Sequence, residues 1–386
     1  MTCRVGILLT HPVQYQVPLW RKLAAREDLE STCFFFSDQG TKPALDPDFG
    51  ETFKWDVPLL DGYRSQFLTR RPISEARHFA VPKAGAFFAE RRFRVVLLHG
   101  YSHAFARQAI RAKRRDGYKV VLHGEFSDGA RPRARWKQCL RAAYLNWFYR
   151  RVDHFCPIGR QAIAHLHRRG IPGERMTLTP YSVDDELLER QFQAHDREDC
   201  RRCLGIGPEH TAFLFSGKLI HRKRPLVFAE AALAAGCQER LAVIILGSGE
   251  QAEAVRRRLA PAFGRRLIMP GFVNQSELGR YFRAADVLVL PSSFETWGLV
   301  VNEAMQFGLP CIVSDRVGCH EDLILPGKTG FVVPHNVAAP LAERMEWCVQ
   351  HPEEIRRMAA RSREHIRGFT SERAAQGLAA AILKVA

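Results

Sequence analysis

The 386-residue sequence has no apolar run that approaches the roughly 20 residues needed to cross a membrane. Its first residues, MTCRVGILLTHPVQY, also lack the small-residue cleavage site of a secretory signal, and His11 and Pro12 interrupt their apolar run. We interpret this stretch as a first buried strand and expect a cytoplasmic protein. The chain is too long for one ordinary hydrophobic core, which favours two domains of similar size.

Clusters of cysteine are absent as well. Ten cysteines are scattered along the chain, and those inside apolar runs, such as Cys33 and Cys311, are expected to behave as small buried hydrophobes. Cys200 and Cys203 form a lone C-x-x-C pair, but His210 alone cannot complete the ligands of a zinc site. We therefore predict surface thiols at this pair rather than a metal centre.

Acidic residues are too few to balance the basic ones. The chain has 41 Asp and Glu against 57 Lys and Arg, which gives a formal net charge of +16. Such an excess fits nucleic acid, an anionic membrane surface or anionic small molecules as partners. Because no zinc-finger spacing, RNP-type aromatic motif or basic-region heptad occurs, we expect no nucleic-acid partner.

The densest basic cluster is residues 131–151, RPRARWKQCLRAAYLNWFYRR. Aromatic and aliphatic residues recur there at helical spacing, with arginines and lysines between them. One interpretation is a helix that lies on an anionic lipid surface, which would place the protein at the inner face of the membrane. The other is a surface helix whose aromatic face packs into the core. The sequence favours neither.

Short apolar runs that end at Gly, Pro, Ser or His alternate with helical patterns along the chain. Because continuous β-branched runs are typical of strands buried on both faces, we predict two doubly wound α/β units with parallel sheets. The polar segment 182–202 is interpreted as a linker with the opening helix of the second unit, and residues 41–63 as a long loop on the first. The predicted strands are 4–11, 32–38, 93–100, 119–125, 154–159 and 176–183 in the first half, and 211–218, 241–249, 266–272, 286–293 and 311–315 in the second.

The most informative segment is PSSFETWGLVVNEAMQFGLPCIVSD, residues 291–315. A helix is predicted to begin near Gly298 and to end at Gly308. The unpaired first amides of this helix and the positive end of its dipole predict an anion site suited to phosphate. Glu295 lies in the preceding loop, whereas Glu303 lies in the second helical turn, where a carboxylate can accept hydrogen bonds from vicinal hydroxyls. A helix-start acid and a solvated glutamate are the alternative interpretation.

A second candidate site is SGKLIHRKRP, residues 216–225. Ligands of such sheets bind beyond the carboxyl ends of the strands, and here a predicted strand ends at Gly217. The cations that follow, Lys218 and Lys223 with their arginine neighbours, favour a phosphate clamp. A basic surface loop is the alternative.

Five motifs between residues 211 and 333 carry a resemblance to a known family. They are GKLIHRK, LGSGE, PGFVNQSELGRYFRAADVLVLPS, FETWGLVVNEAMQFGLPCIVSD and GKTGFVV, and in this order they resemble the signature of the retaining glycosyltransferases of family 4. The resemblance is weaker in the first half, where HPVQYQVPLWRKLA and PYSVD are similar. It implies the GT-B fold, an α/β architecture of two Rossmann-like, doubly wound parallel-sheet domains that face across a cleft. The implied domains are residues 1–183 on the acceptor side and residues 184–369 for the nucleotide sugar, with the C-terminal helix 370–386 packing back on the first.

The resemblance also implies roles for individual residues. By position, Lys223 matches the phosphate-binding lysine, and Lys218 stands where the family usually has arginine. Glu303 matches the carboxylate that holds the ribose hydroxyls, and Glu295 the one that contacts the transferred sugar near the reacting carbon. His123 matches a histidine beside the donor sugar, with a packed strand-end histidine as the alternative. The implied catalytic groups are therefore Glu295, His123, Lys218 and Lys223.

Other parts of the donor site follow from the same resemblance. The amides of Trp297, Gly298 and Leu299 would meet the diphosphate, and Val273 lies in the loop that usually meets the base. The Gly-rich loop that the family has after the first strand is replaced here by THPVQYQVP. The predicted donor-binding residues are Gly217, Lys218, Lys223, Val273, Glu295, Thr296, Trp297, Gly298, Leu299 and Glu303.

The chemistry of sugar transfer places negative charge on the departing diphosphate. Metal-dependent sugar transferases stabilise that charge with an Asp-x-Asp motif and a divalent ion, but the one match here, Asp46-Pro47-Asp48, lies in the Pro-rich loop. Lys218, Lys223 and the helix start can neutralise the charge without a metal. We therefore predict transfer that needs no metal and no other cofactor, and the resemblance implies retention at the anomeric carbon.

The leading hypothesis is a hexosyltransferase that uses a UDP- or GDP-linked sugar. Its acceptor would be a glycan or a lipid-linked molecule in the synthesis of surface polysaccharide, lipopolysaccharide or a related glycoconjugate. A nucleotide-sugar epimerase of the same fold is one alternative. A non-catalytic protein that binds a nucleotide or a glycan is the other, because a fold does not by itself imply a reaction.

Overall fold

The computed structural model describes residues 2–46, 51–127 and 134–386. The chain divides into two compact units, which we call the N-terminal and the C-terminal unit. The N-terminal unit comprises Met1–Ala44, Pro58–Asp184 and Phe369–Ala386, and the C-terminal unit comprises Leu45–Val57 and Asp185–Gly368.

Each unit is built on a six-stranded parallel sheet, as the apolar runs of the sequence predict. The strands are β1 (Cys3–Leu9), β2 (Leu29–Phe35), β3 (Ala44–Asp46), β4 (Glu51–Phe53), β5 (Ser65–Phe67), β6 (Val95–His99), β7 (Lys119–Gly124), β8 (His154–Pro157), β9 (Thr211–Ser216), β10 (Leu241–Leu246), β11 (Leu267–Gly271), β12 (Val287–Leu290), β13 (Cys311–Ser314) and β14 (Gly330–Val333). Their order is β5-β2-β1-β6-β7-β8 in the first sheet and β11-β10-β9-β12-β13-β14 in the second. The doubly wound α/β class is confirmed.

Helices connect the strands, because parallel neighbours need a crossover rather than a hairpin. They are α1 (Val17–Ala24), α2 (Ala84–Arg91), α3 (Ala104–Asp116), α4 (Arg135–Tyr149), α5 (Arg160–Arg168), α6 (Asp185–Ala194), α7 (Arg197–Cys203), α8 (Pro225–Ala234), α9 (Ala252–Phe263), α10 (Leu278–Ala284), α11 (Leu299–Gln306), α12 (His320–Leu323), α13 (Ala338–Gln350), α14 (Pro352–Ile366) and α15 (Ser371–Val385). Within the described part of the chain, none of them is long and apolar enough to span a membrane.

The two sheets supply the two hydrophobic cores. In the N-terminal unit, Ile7, Leu97 and Val121 have less than 1% of their surface exposed, and α15 adds Leu378 and Ile382 to the same cluster. The last helix of the chain is therefore part of the first unit's core. The second core is formed by the corresponding side chains of β9, β10 and β12 with helices α8, α9, α13 and α14.

Three local expectations are wrong. One is the surface thiol at Cys200, which is buried, whereas Cys203 is exposed as expected. Residues 176–183 form no strand, although Thr177 and Thr179 donate backbone hydrogen bonds of 2.9 Å to the carbonyls of Phe155 and Pro157 in β8. The next bond, from the N–H of Tyr181 to the carbonyl of Ile158, is longer at 3.3 Å, so the regular pairing does not extend beyond Thr179. Residues 41–63 are not simply a loop of the first unit, since β3 and β4 pair with each other and Leu45–Val57 group with the C-terminal unit.

The basic helix of the first half combines features of both interpretations. In its last turns Leu145, Phe148 and Tyr149 are buried in the N-terminal unit. In its first turns Trp136 and Leu140 are each 62% exposed. Residues 131–133 of the predicted basic cluster lie outside the described residues. The aromatic face therefore packs into the core only along the C-terminal half of α4.

Candidate functional site

The candidate site lies at the carboxyl end of the second sheet, where the loops that follow β9 and β12 emerge side by side. Ser293 donates its backbone N–H (2.8 Å) and its hydroxyl (3.0 Å) to the carbonyl oxygen of Arg222. Arg222 in turn donates from Nη1 to the carbonyl oxygen of Phe294 at 3.0 Å. These bonds join the basic loop 217–224 to the glutamate loop 291–298.

Glu295 is the centre of the charges between these loops. Its Oε1 lies 2.8 Å from Nζ of Lys223 and 2.9 Å from Nη1 of Arg222, and the hydroxyl of Ser292 donates to the same oxygen at 2.9 Å. The side chain of Glu295 is 11% exposed and that of Lys223 is 14% exposed. Two cations thus share one carboxylate, which leaves net positive charge at the strand ends.

This arrangement keeps Glu295 ionised. Burial by itself acts to raise the pKa of the carboxyl group, but the charges of Lys223 and Arg222 and the hydrogen bonds from Lys223 and Ser292 outweigh it. The pKa of Glu295 is therefore held below its usual value. A partly buried carboxylate of this kind presents fixed negative charge at neutral pH.

Glycine is required at two strand ends, by a positive φ at Gly217 and by close approach at Gly247. Gly217 follows β9 with φ of 148°, and a β-carbon built on it would lie 3.7 Å from Nζ of Lys223. A β-carbon on Gly247, after β10, would lie 2.0 Å from the carbonyl oxygen of Gly217, so only glycine fits there. Lys218 follows directly and is half-buried. The structure therefore brings Gly217, Lys218 and Lys223 to the end of one strand.

The helix after the glutamate loop begins where the sequence predicts. Gly298 is the residue before α11, with φ of 105°, and a β-carbon there would meet Cγ1 of Val317 at 2.8 Å. The indole of Trp297 is 3% exposed and donates from Nε1 to Oδ1 of Asn302 at 2.8 Å. Leu299 is the first residue of α11, and in the first turn Val301 donates its N–H to the carbonyl of Gly298 at 2.9 Å. This end of α11 carries the positive end of the helix dipole.

Backbone hydrogen bonds hold the glutamate loop to the turn that follows β13. Glu295 donates its N–H to the carbonyl of Arg316 at 2.9 Å and accepts from the N–H of Gly318 at 3.0 Å, while Cys319 donates to the carbonyl of Trp297 at 3.0 Å. A β-carbon on Gly318 would lie 2.1 Å from the carbonyl oxygen of Thr296. Thr296 and its neighbours therefore have little freedom to move relative to β13.

Glu303 lies in the second turn of α11, as predicted, but it is half-buried rather than solvated. Burial raises the pKa of its carboxyl group to about 7, against the opposing effects of a hydrogen bond from the Gln275 side chain and the charge of Lys223. Gln275 lies two residues after Val273 in the loop that follows β11. The predicted base loop and the predicted ribose carboxylate are thus in contact.

A segment from the first half of the sequence, residues 54–56, contacts the loop that follows β11. Asp56 accepts hydrogen bonds from the backbone N–H and the hydroxyl of Ser276, and Asn274 donates from Nδ2 to the carbonyl of Lys54 at 2.8 Å. The rings of Trp55 and Phe272 are 6.4 Å apart. The sequence carries no local signal for these contacts, and they were not predicted. Arg222, Ser292 and Gln275 were likewise not among the predicted donor residues.

His123 belongs to the N-terminal unit, at the end of β7. It is 2% exposed, and its Nδ1 lies 3.2 Å from Nδ1 of His99 at the end of the neighbouring β6. Burial, followed by the nearby His99, holds the pKa of His123 well below its usual value. His123 is therefore a neutral strand-end histidine around pH 7.

Across residues 2–46, 51–127 and 134–386, no three His, Cys, Asp or Glu side chains are grouped so that they could hold a metal ion. Pro47 and Asp48 of the Asp-x-Asp match lie outside the described residues. Transfer without a metal ion stays a prediction.

Comparison with known proteins identifies the family. The family described as "Glycosyl transferases group 1" matches residues 196–365, and the "Glycosyl transferase 4-like domain" matches residues 13–182. The chain belongs to the family 4 glycosyltransferases, as the motifs predicted.

Two relatives show how far the similarity extends. The chain is 30% identical over 334 residues to D-inositol 3-phosphate glycosyltransferase 1 of Catenulispora acidiphila, which covers 83% of this chain and 74% of that protein. It is 35% identical over 235 residues to the D-inositol 3-phosphate glycosyltransferase of Pseudarthrobacter chlorophenolicus, with 59% of this chain covered. In that second alignment the chain spans 54% of the relative, and in one with a protein of the same name from Geodermatophilus obscurus it spans 58%.

Solved structures confirm the GT-B fold class. HepE of Anabaena, crystallised with UDP, matches with a TM-score of 0.75 at 15% identity over 100% of both chains. Sucrose-phosphate synthase of Thermosynechococcus elongatus matches with a TM-score of 0.71 at 19% identity over 98% of both chains. At these identities the likeness concerns the fold alone.

Proposed function

We propose that the protein transfers a hexose from a nucleoside diphosphate sugar to a glycan or lipid-linked acceptor, with retention at the anomeric carbon and without a metal ion. The observation that carries this proposal is the cluster of Lys223 and Arg222 on Glu295, directly before the N-terminus of α11. Such a cluster offers a diphosphate both fixed cations and backbone amides.

Each predicted residue has a role that fits its place. Lys223 and the start of α11 bind the diphosphate and stabilise the charge that grows on it as the sugar leaves. Glu303 accepts hydrogen bonds from the ribose hydroxyls, and the base lies against the loop of Val273. Glu295, already ionised, faces the sugar carbon as that carbon becomes cationic. These assignments rest on the family motifs and on the local geometry together.

The transfer itself needs only the donor and the acceptor. The bond between the anomeric carbon and the diphosphate oxygen breaks as the bond to the acceptor oxygen forms on the same face. The acceptor proton passes to the departing diphosphate. Lys218 and Lys223 can supply the neutralising charge that other transferases obtain from a divalent ion.

UDP-glucose is the first donor to test. The solved structures of HepE, which share this fold, hold UDP, UDP with glucose, and UDP-glucose. Relatives in sequence are named D-inositol 3-phosphate glycosyltransferases, so an inositol phosphate belongs in the acceptor panel beside glycans and lipid-linked sugars.

A donor panel with and without EDTA tests the proposal. We expect release of the nucleoside diphosphate from one UDP- or GDP-hexose, unchanged by EDTA, with a product that keeps the anomeric configuration by NMR. Loss of all transfer in EDTA would contradict the metal-free mechanism. A converted donor sugar without transfer would indicate an epimerase, and binding without release at any acceptor would indicate a non-catalytic protein.

The proposal also includes peripheral attachment of the protein to an anionic membrane through the start of α4. Trp136 and Leu140 are both 62% exposed, and Nζ of Lys137 lies 5.2 Å from the centre of the Trp136 ring. Aromatic and basic groups on one exposed helix end are typical of lipid-surface binding. We expect flotation with anionic vesicles at low salt that is weakened by salt and by Trp136→Ala. Leu383→Ala, at another exposed leucine, is the matched control, and no flotation at low salt contradicts attachment.

A further inference from the structure

Three side chains of the N-terminal unit form a continuous chain of hydrogen bonds. Nε2 of Gln16 lies 3.0 Å from Nε2 of His99, and Nδ1 of His99 lies 3.2 Å from Nδ1 of His123. His99 and His123 stand opposite each other at the carboxyl ends of the paired strands β6 and β7. Gln16, 4% exposed, immediately precedes α1. It comes from THPVQYQVP, the segment in which this chain departs from the Gly-rich loop of its family.

The direction of each hydrogen bond in this series follows from the side-chain amide of Gln16. The amide nitrogen of Gln16 can only donate, so Nε2 of His99 must accept. A neutral imidazole that accepts at Nε2 carries its proton at Nδ1, and His99 therefore donates to Nδ1 of His123. Since Nδ1 of His123 accepts, the proton of His123 must be on Nε2.

Both imidazoles are neutral near pH 7 and therefore carry one proton each. Burial, together with the nearby His103 and His11, lowers the pKa of His99 to about 4. The pKa of His123 is held well below its usual value by burial and by His99. With two neutral rings, the assignment of one proton to each is complete.

Nε2 of His123 is the last nitrogen of this series of hydrogen bonds. Among the residues that the structure describes, Nε2 of His123 has no hydrogen-bond partner, although the residue is 2% exposed. The fully buried, unpaired polar side-chain atoms of the described residues do not include this nitrogen, so water or a ligand can reach it. An exchangeable partner at this position is therefore expected.

We propose that Gln16 and His99 are positioning residues that lock His123 in the Nε2–H tautomer, so that it donates a hydrogen bond to a hydroxyl oxygen of a bound sugar. The identity of the ligand rests on the proposed function, whereas the tautomer does not. The loop after β1, which stands where the family has a Gly-rich loop, supplies the amide that sets the direction of the two observed hydrogen bonds and of the proposed one to the sugar.

Histidine tautomers can be read in the protein without any substrate. We expect a long-range ¹H–¹⁵N correlation spectrum of histidine-labelled protein at pH 7.5 to show His123 as the Nε2–H form and His99 as the Nδ1–H form. The signals are assigned by the loss of one set in His123→Gln. An Nδ1–H form of His123, which would result if Gln16 turned its carbonyl oxygen to His99, overturns the proposal.

Gln16→Met removes the amide at nearly the same side-chain length. We expect this variant to show a mixture of His123 tautomers and a kcat/KM for sugar transfer that is lower by about 2- to 10-fold, the weight of one hydrogen bond. Its affinity for the nucleoside diphosphate, which carries no sugar, should not change. Gln14→Met, at the nearby partly buried glutamine, is the matched control and should leave both spectra and kinetics unaltered.

The outcomes separate this inference from the proposed function. If no donor is turned over, the tautomer spectra of the wild type and of Gln16→Met still decide whether the chain of hydrogen bonds exists. If transfer is observed but Gln16→Met keeps a single His123 tautomer, the locking role is wrong and the proposed function stands.

Discussion

Oε1 of Glu295 lies 2.8 Å from Nζ of Lys223, the lysine that we propose as a ligand of the donor diphosphate. Arg222 reaches the same carboxylate oxygen at 2.9 Å. The carboxylate of Glu295 is therefore paired with the same two cations that we propose for the phosphates. If the proposed function holds, donor binding must share or break this ion pair, so that Glu295 competes with the diphosphate for Lys223 and also contacts the sugar.

The first prediction follows from this competition. Glu295→Gln should bind a nucleoside diphosphate about 3- to 10-fold more tightly than the wild type, because Lys223 and Arg222 lose their neutralising partner. The same variant should transfer sugar about 10²-fold more slowly, because fixed charge near the reacting carbon is lost. Isothermal titration calorimetry with UDP and a transfer assay measure the two effects.

Glu253→Gln is the control for this experiment, since it removes an equal charge from a side chain that is 70% exposed at the start of α9. It should change neither affinity nor rate. Weaker UDP binding in Glu295→Gln would show that the carboxylate helps to hold the nucleotide rather than competing with it.

The second prediction concerns the pH dependence of the free energy of unfolding, to which Glu303 and Glu295 contribute in opposite directions. Glu303 has a pKa of about 7 in the folded protein, above its ordinary 4.5. The protonated carboxyl group of Glu303 stabilises the fold; this contribution to the free energy of unfolding is fully present below about pH 4.5 and is lost as the pH rises through about 7. Glu295 has a lowered pKa, so its contribution is present above the ordinary value and is lost as the pH falls through the folded value.

Thermal unfolding at pH 5 and pH 8 measures this difference without any ligand. At pH 8, Glu303→Gln should raise the melting temperature by a few degrees, on the order of 1–2 kcal/mol after allowance for partial exposure. Glu295→Gln should lower it. The gain in Glu303→Gln should shrink at pH 5. A lower melting temperature for Glu303→Gln at pH 8 would mean that the ionised carboxylate is stabilised in the fold.

The features that were predictable from the sequence are those with local signals. Apolar runs predicted the strands that carry Gly217 and the glutamate loop, and Gly298 and Gly308 delimit α11 as expected. Five motifs in family order then predicted the site residues Lys223, Glu295 and Glu303, and the structure places the first two in contact. These residues lie within a few positions of a strand end or a helix start, so short patterns are enough to place them.

The features that were missed depend on distance along the chain. Asp56 and Ser276 are 220 positions apart, and their hydrogen bonds link a Pro-rich stretch to the loop that carries Gln275. No periodicity or turn residue in 45–57 indicates a partner so remote. The half-buried position of Glu303, which raises the pKa of its carboxyl group, was also missed, because it depends on which residues cover α11 rather than on the helix pattern itself.

The third prediction tests the remote segment. Asp56→Ala should increase hydrogen exchange at the amides of 272–277, because Ser276 loses the acceptor of its N–H and its hydroxyl. The local opening free energy should fall by about 1 kcal/mol, and exchange there should accelerate about fivefold. Asp61→Ala, at an exposed aspartate of the N-terminal unit, is the control. Unchanged exchange at 272–277 would show that the contact with Asp56 does not hold this loop.

The fourth prediction links donor binding to the proton of Glu303. If the ribose hydroxyls donate to an ionised carboxylate, binding must release the proton that Glu303 holds with a pKa of about 7. At pH 7 about half a proton should be released per site, and below that pH the affinity should fall by up to about tenfold per unit. Calorimetry in two buffers of different ionisation enthalpy measures the release. UDP-glucose is preferable to UDP as the ligand, because its diphosphate has no terminal group that titrates in this range.

Glu303→Gln gives the matched comparison for this linkage. The amide keeps the shape of the side chain but has no proton to release, so its affinity should be lower than that of the wild type at pH 8 and flat between pH 6 and pH 8. The two affinities should converge at pH 6, where the wild-type carboxyl group is largely protonated. A wild-type affinity that does not change with pH, with no proton released, would mean that Glu303 does not ionise on binding and would remove its proposed contact with the ribose.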